Sequence, residues 1–211
     1  MKESVAELKR LLAQSAIVAD SQGSHPMLAY LALLIKWNPR INLTATTEWT
    51  GIGPLFEEAI RASAFYPEHR VSHLDIGSGN GFPAIPLRIL RPRMRLDMVE
   101  SRNKRCVFLE TVANTLELGE VRVHNMRLKQ FLESCARDRV WDIISWKAIK
   151  LETTELQTLR AHAKEQTEFW MFHGRELAVE DPAAFEKDFR LKKSICLERS
   201  REWTLSMYCP G

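Results

Sequence analysis

The 211-residue sequence is poor in cysteine, and its four, Cys106, Cys135, Cys196 and Cys209, are widely spaced with no C-x-x-C pair among them. Neither a zinc site nor a disulfide framework is signalled. No metal is expected, and a reducing cytosol is the simpler compartment. Long apolar runs are missing too. The stretch 17–35 is broken by Asp20, Gly23, His25 and Pro26, which excludes a membrane span. The first twenty residues mix charge and apolar residues at helical spacing and lack the apolar core and small-residue cleavage site of a signal peptide. A soluble cytoplasmic protein, with no membrane partner and monomeric, is the expectation. There is no internal repeat and no low-complexity tract. The net charge of +3 is too small to require a polyanionic partner.

What is present fits one globular chain. The sequence is 45% apolar and 27% charged, and at this length folding buries roughly 70% of the unfolded surface, enough for a core without covalent staples. From 4 to 65 the pattern is helical, with no strand-like alternation. Leu8, Leu11 and Leu12 share a face, and Met27, Tyr30, Leu31, Leu34 and Ile35 recur at amphipathic spacing. Pro26 is placed to open a second helix and Pro39 to follow its end. A third helix is predicted over 48–65, with Thr47 as candidate N-cap.

After Pro67 short apolar runs alternate with helical segments. Strands are predicted at 73–76, 96–99, 121–123, 141–144 and 169–172, and helices at 83–90, 104–116, 128–137 and 153–163. Repeated βα units imply a parallel sheet with right-handed crossovers and helices on both faces. The runs 194–197 and 203–208 are joined by a short polar connection, as in an antiparallel hairpin. The predicted fold class is α/β and Rossmann-like, with a helical extension over 1–66 and the sheet domain over 67–211.

The most informative stretch is His73-Leu-Asp-Ile-Gly-Ser-Gly-Asn-Gly-Phe-Pro-Ala-Ile-Pro-Leu87. A buried strand delivers Asp75, and Gly77, Gly79 and Gly81 then let the backbone turn sharply and approach a ligand with no Cβ in the way. Pro83 and Pro86 suit the first turn of a helix, whose N–H groups have no internal partner. A dinucleotide fingerprint is G-x-G-x-x-G. Here the spacing is G-x-G-x-G and the third fingerprint position is Phe82, which disfavours NAD. The aminoacyl end of S-adenosylmethionine, a zwitterion that wants backbone hydrogen bonds, fits better. Glu100 closes the next strand, nineteen residues after Gly81, where doubly wound folds place an acid against ribose hydroxyls.

Three segments together carry a family resemblance. They are Lys36-Trp37-Asn38-Pro-Arg40-Ile-Asn42-Leu43-Thr44; Asp75-Ile-Gly-Ser-Gly-Asn-Gly-Phe-Pro-Ala-Ile-Pro-Leu87 with Arg91-Pro92; and Glu100-Ser101 followed by Lys104-Arg105 and Phe108-Leu109. The chain resembles, from about 33 to 172, the bacterial small-subunit (16S) ribosomal RNA guanine-N7 methyltransferases, the glucose-inhibited division protein B family. The resemblance implies a class I methyltransferase fold, S-adenosylmethionine as donor and a guanine of 16S ribosomal RNA or the small subunit as acceptor. It implies that Asp75, Gly77, Ser78, Gly79, Gly81 and Phe82 surround the methionine end, that Glu100 and Ser101 face ribose and that Met126 and Arg127 lie by adenine. Lys147, in Trp146-Lys147-Ala148, takes the arginine position of the family's S-R-A motif and would orient the acceptor.

The chain also departs from that pattern. The family's His-x-Leu-Asp-Ser stretch is matched by Phe56-Glu57-Glu58-Ala59-Ile60, Lys147 lacks the planar fork of arginine, and a Lys-Gly becomes His173-Gly174.

Guanine N7 carries an in-plane lone pair, so no general base is required and the enzyme's task is alignment, which can supply roughly 7–11 kcal/mol. Lys147 and His173 are the candidate catalytic residues. Trp146 and His173 sit at strand ends where they could stack on a purine, or serve as a core anchor and a satisfied loop histidine. Between Arg88 and Arg105 seven basic residues face only Asp97 and Glu100, which suits phosphate contact or a solvated helix face. Lys36, Arg40, Arg88, Arg91, Arg93, Arg102, Lys104 and Arg105 are the RNA candidates, while Asn38 and Asn42 are better suited to capping or bracing a loop. The alternatives are a divergent paralogue acting on another RNA or a small molecule, and a non-catalytic S-adenosylmethionine- or RNA-binding relative.

Overall fold

A computed structural model describes residues 2–15, 24–134, 139–175, 179, 181–198 and 203–211. The apolar runs after Pro67 form a seven-stranded sheet of order β3-β2-β1-β4-β5-β7-β6. Its strands are β1 (Ser72–Ile76), β2 (Arg95–Glu100), β3 (Val121–Asn125), β4 (Ile143–Lys147), β5 (Glu168–His173), β6 (Phe189–Glu198) and β7 (Trp203–Pro210). Strands β1 to β5 pair in parallel, and β7 runs antiparallel to both β5 and β6. Alternation along β1 divides the core. His73 and Asp75 point to one face, and Leu74 and Ile76 to the other.

On the first face pack α1 (Lys2–Gln14), α2 (Ser24–Ile41), α3 (Trp49–Ser63), α4 (Ala84–Leu90) and α5 (Asn103–Thr115). Leu8, Tyr30, Phe56, Ile85 and Phe108 from these helices share one buried cluster with Met98, Ile143 and Trp170 of the sheet. Thus the N-terminal helices and the sheet share a continuous core. The other face is covered by α6 (Leu128–Ser134), α7 (Thr153–Ala161) and α8 (Pro182–Asp188), whose Phe131, Leu156 and Phe185 pack on Leu74, Ile144 and Phe169.

Several expectations change. Helix α2 does not stop before Pro39 but runs through it to Ile41. In the last turn the proline deletes a single amide donor, and Asn42 ends the helix at φ 51° with its N–H on the Asn38 carbonyl at 3.0 Å. Thr47 is not the cap of α3. Glu48 holds that position with no side-chain cap, and Thr46 Oγ1 accepts from the Glu48 N–H at 3.0 Å. Strand β4 starts two residues later than the apolar run suggests, because the Trp141 indole is drawn off to donate to Asp97 Oδ2 at 3.1 Å. Helix α8 was not anticipated, although Asp181 followed by Pro182 is a start signal. Asp181 Oδ1 accepts from the Ala184 N–H, and Pro182 takes the first turn. Part of the predicted helix 128–137 lies outside the described residues. None of the described helices is long and apolar enough to cross a membrane.

Candidate active site

The strand order reverses between β1 and its neighbours β2 and β4, and ligands of doubly wound sheets bind beyond the carboxyl ends of the strands at such a point. The sequence places the glycine loop there. Gly77, Gly79 and Gly81 have φ of 66°, 58° and 92°, the region that residues with a Cβ avoid. Gly77 and Ser78 donate their N–H groups to the Val99 carbonyl. The Gly79 N–H donates to Glu100 Oε2 at 2.9 Å, and the Arg102 N–H to Glu100 Oε1 at 2.8 Å. Glu100 therefore ties the loop to the end of β2 and fixes its own carboxylate at the cavity wall.

That cavity, about 380 Å³, is lined by Ile76, Gly77, Val99, Glu100, Ser101, Arg102, Arg105, Met126, Arg127, Leu128, Ile149, Lys150, Leu151 and Glu155. Five of the expected donor-site residues, Gly77, Glu100, Ser101, Met126 and Arg127, are thereby brought together. The apolar walls, the carboxylate at a strand end and a glycine facing Ile149 suit a purine nucleoside. Asp75 lies beneath the loop, 2% exposed. Its Oδ1 accepts from Ser145 Oγ at 2.6 Å, and its Oδ2 is buried with no hydrogen-bond partner among the described residues. Burial pushes the carboxyl up to about 6, against the Ser145 and Ser78 hydroxyls that hold it down, with the Glu100 charge adding to the rise. An orphaned buried carboxylate oxygen below a turn of glycines suits an ammonium group, as the methionine end of S-adenosylmethionine would supply.

Phe82 is placed differently from the expectation. Its ring lies in the core, 5.2 Å from the Tyr30 ring and 4.8 Å from that of Phe56, so it anchors the loop from behind and is not part of the cavity lining. Ser78 is likewise buried and donates to the Asp75 carbonyl at 3.1 Å. Sequence reasoning missed Asn80. Its Nδ2 donates to the Leu43 carbonyl at 3.2 Å, its Oδ1 accepts from the Phe82 N–H, and its carbonyl accepts from Tyr30 Oη at 2.6 Å. The segment 37–44 is thus clamped to the glycine loop, and Asn38 Oδ1 braces that segment through the Thr44 N–H at 2.8 Å. Ile149, Lys150, Leu151 and Glu155 were also missed, because no local pattern marks them.

Of the two candidate catalytic residues, Lys147 is held by Glu58 of α3, a residue with no solvent exposure, and its Nζ lies 4.6 Å from the Trp203 ring centroid. The stretch that departs from the family pattern therefore supplies an acid for the altered basic residue. His173 has both ring nitrogens engaged within the fold. It is buried, with Nε2 2.9 Å from Ser206 Oγ and Nδ1 2.7 Å from the Gly174 carbonyl, the satisfied loop histidine of the two readings. Trp146 is fully buried and is a core anchor.

The basic stretch divides. Strand β2, six residues long, separates its halves by about 20 Å. At the amino edge Arg88 is buried and donates to the Gly119 carbonyl at 2.7 Å, and Arg91 donates to the Ser63 carbonyl at 2.5 Å. These two guanidiniums brace the fold. At the carboxyl edge Arg102 and Lys104 are exposed beside the cavity. Arg105 lines it, with Nη1 3.9 Å from Glu100 Oε2. Lys36 and Arg40 are exposed on the last turns of α2, where the Trp37 ring meets Phe108 of α5 at 5.8 Å. A larger cavity of about 560 Å³ between α1, α3 and β6 is lined by Leu11, Ile60, Phe65 and Ile195 among others, away from the glycine loop.

Comparison with known proteins places this geometry. Among solved structures, a mutant of MtNAS in complex with S-adenosylmethionine superposes with a TM-score of 0.63 at 13% identity, covering 96% of this chain and 82% of that one. A SAM-dependent methyltransferase from Aquifex aeolicus does so with a TM-score of 0.58 at 15% identity, covering 75% and 92%. These likenesses establish the fold, that of class I methyltransferases. In sequence, the ribosomal RNA small subunit methyltransferase G of Streptococcus pyogenes is 30% identical over 191 residues, 89% of this chain and 78% of that protein. The protein of the same name from Roseiflexus is 35% identical over 177 residues, 83% and 73% of the two chains. The profile described as rRNA small subunit methyltransferase G matches residues 24–197. The chain therefore belongs to the rRNA small subunit methyltransferase G family and is an S-adenosylmethionine-dependent methyltransferase.

Proposed function

We propose that the chain transfers a methyl group to N7 of a guanine in 16S ribosomal RNA, and that the acceptor docks across the carboxyl edge of the sheet. The observation that carries this reading is the meeting of glycine loop, Glu100 and cavity at the switch point. The donor supplies an electrophilic methyl on a sulfonium. Asp75 Oδ2 receives the ammonium group, the turn of glycines from Gly77 to Gly81 leaves room for the carboxylate end close to the backbone, Glu100 and Ser101 accept from the ribose hydroxyls, and Met126 and Arg127 flank adenine. No side chain has to move a proton, since the attacking lone pair is free in neutral guanine, and the bonded state of His173 agrees with this. What the residues provide is alignment.

The decisive experiment incubates the protein with undermethylated small subunits and labelled donor, then digests the RNA to nucleosides. Label in 7-methylguanosine is expected. Label in any other nucleoside, or transfer only to small molecules, would overturn the acceptor assignment. Docking is proposed to rest on Lys36, Arg40, Arg102 and Lys104. Lys104→Glu should then weaken RNA binding and lower the slope of log affinity against log salt by about one for the lost phosphate contact. Arg93→Glu, at the far edge, should leave both within about twofold of wild type. Equal losses in the two variants would contradict this docking edge.

A further inference from the structure

On the Asp75 face of the sheet, behind the glycine loop, four buried polar side chains form a line. Tyr66 Oη lies 3.1 Å from His73 Nδ1, His73 Nε2 lies 2.7 Å from Ser145 Oγ, and Ser145 Oγ lies 2.6 Å from Asp75 Oδ1. None of the four is more than 4% exposed. Nothing in the methyl transfer itself uses the first three.

Counting protons gives the line a direction. Burial pushes His73 down to about 3, so the imidazole is neutral and carries one N–H, and Ser145 has a single proton to give. When Asp75 is ionised it only accepts. Ser145 must then donate to it, His73 must donate through Nε2 to Ser145, and His73 Nδ1 must accept from Tyr66. When Asp75 is protonated every bond can reverse. Asp75 then donates to Ser145, Ser145 to Nε2, and Nδ1 to Tyr66, whose hydroxyl turns to Met94 Sδ at 2.7 Å. Each charge state of Asp75 thus has its own set of hydrogen bonds, the ionised one being the stronger because its chain of donors ends on a charge, and changing from one to the other requires His73 to switch tautomer.

We propose that Tyr66, His73 and Ser145 form a directional hydrogen-bond relay that holds Asp75 as a carboxylate for the donor's ammonium group. His73, which does not contact Asp75, is then a positioning residue for donor binding. The link to the donor rests on the role proposed above for Asp75, whereas the relay itself does not. The other groups facing Asp75 are Ser78 of the glycine loop, Glu100 at the end of β2 and Tyr30 of α2. The nearby Lys147 and Glu58, from β4 and α3, compensate each other. Around Tyr66 lie Asp142, Arg88 and Arg91. Of the groups in contact with the Asp75 carboxylate, Ser145 is the one whose hydrogen bond has a second buried partner behind it.

The test is the carboxyl-carbon NMR titration of Asp75 in the ligand-free full chain. The wild-type midpoint is expected near 6. Ser145→Ala should raise it by about one unit, and His73→Phe by about half a unit, because the polarising donor behind Ser145 is gone. His73→Gln, which keeps an N–H, should return the midpoint toward wild type. In the Ser145→Ala background His73→Phe should add nothing, since it acts through Ser145. If phenylalanine unfolds the strand, His73→Leu makes the same chemical deletion. A midpoint indifferent to both His73 deletions, or effects that add in the double variant, overturns the relay.

Calorimetry with S-adenosylmethionine separates this from the donor assignment. Ser145→Ala should bind about fivefold more weakly at pH 6 and less than twofold more weakly at pH 7.5, as a one-unit shift requires. A loss by the same factor at both values is what a purely structural role gives, and it overturns the link to donor binding. Shifted midpoints with no donor binding by the wild type would refute the donor reading and leave the relay standing.

Discussion

Gly77→Ala is expected to weaken S-adenosylmethionine binding by at least about thirtyfold while the chain remains folded. The residue sits at φ 66°, and a Cβ built there would come within 2.8 Å of Ile149 Cδ1 and 3.1 Å of its Cγ2. Holding alanine in the left-handed region costs about 1–2 kcal/mol. Crowding a packed neighbour by a methyl group adds about 1–3 kcal/mol. Ile149 is the end of a flexible side chain and can yield, but Gly77 and Ile149 both line the cavity proposed for the donor, so the space it yields into is the space that the ligand would fill. The penalty is therefore read mostly in affinity and less in melting temperature. Gly79→Ala provides the internal comparison. It is equally left-handed, at 58°, yet its Cβ would meet Arg105 Nη1 and the Gly77 carbonyl only at 3.6 Å, an ordinary contact. Backbone strain alone predicts about a tenfold loss. Calorimetry on both variants, with melts alongside, decides it. Wild-type affinity in Gly77→Ala, or a larger loss in Gly79→Ala, would mean that the cavity beside Ile149 is not the donor's.

The glycine loop and the two acids that flank it were legible in the sequence because their determinants are local. Three glycines at alternate positions, an acid at the preceding strand end and another at the next are set by the turn itself, and pattern reading recovers such features. The βα rhythm is legible for the same reason. What the sequence could not show are partnerships made by distant segments meeting on one face: Asn80 with Leu43, Tyr30 with the Asn80 carbonyl, His73 with Ser145, and Lys147 with Glu58, the last 89 residues apart. Charge clustering says little about a shared surface for the complementary reason. Neighbours in sequence such as Arg91 and Arg102 are separated by the length of β2, and a guanidinium counted as free, that of Arg88, was needed to satisfy a loop carbonyl. Where the chain departs from its family, the sequence shows only a changed stretch at Phe56-Glu57-Glu58-Ala59-Ile60 and a lysine at 147 without arginine's planar fork. Folding shows the two altered segments facing each other.

That pairing carries the largest expected effect on stability. Glu58 has a side chain 1% exposed and Lys147 one 12% exposed, so each charge is tolerated because of the other. Removing one partner of a buried pair typically costs about 3–5 kcal/mol, since the survivor is left charged and unpaired. For a chain of this length each kcal/mol moves the midpoint of melting by about 2–4 °C. Lys147→Met should therefore lower it by roughly 6–20 °C at pH 8. The two deletions should differ in kind. Without Glu58, Lys147 keeps the Trp203 ring and a route to solvent, whereas without Lys147 the carboxylate has no exposure through which to be hydrated. Taking up a proton then relieves its charge. Such a group binds its proton more tightly folded than unfolded, so its contribution is intact at low pH and is lost as the pH rises. Lys147→Met should accordingly recover much of its deficit between pH 8 and pH 5, and the Glu58→Gln/Lys147→Met double variant should be more stable at pH 8 than Lys147→Met alone. Melts across that range read both effects. A Lys147→Met deficit that is small, or the same at every pH, would show that Glu58 is reached by water or by another cation, and that the lysine at the family's arginine position is held there by something other than this acid.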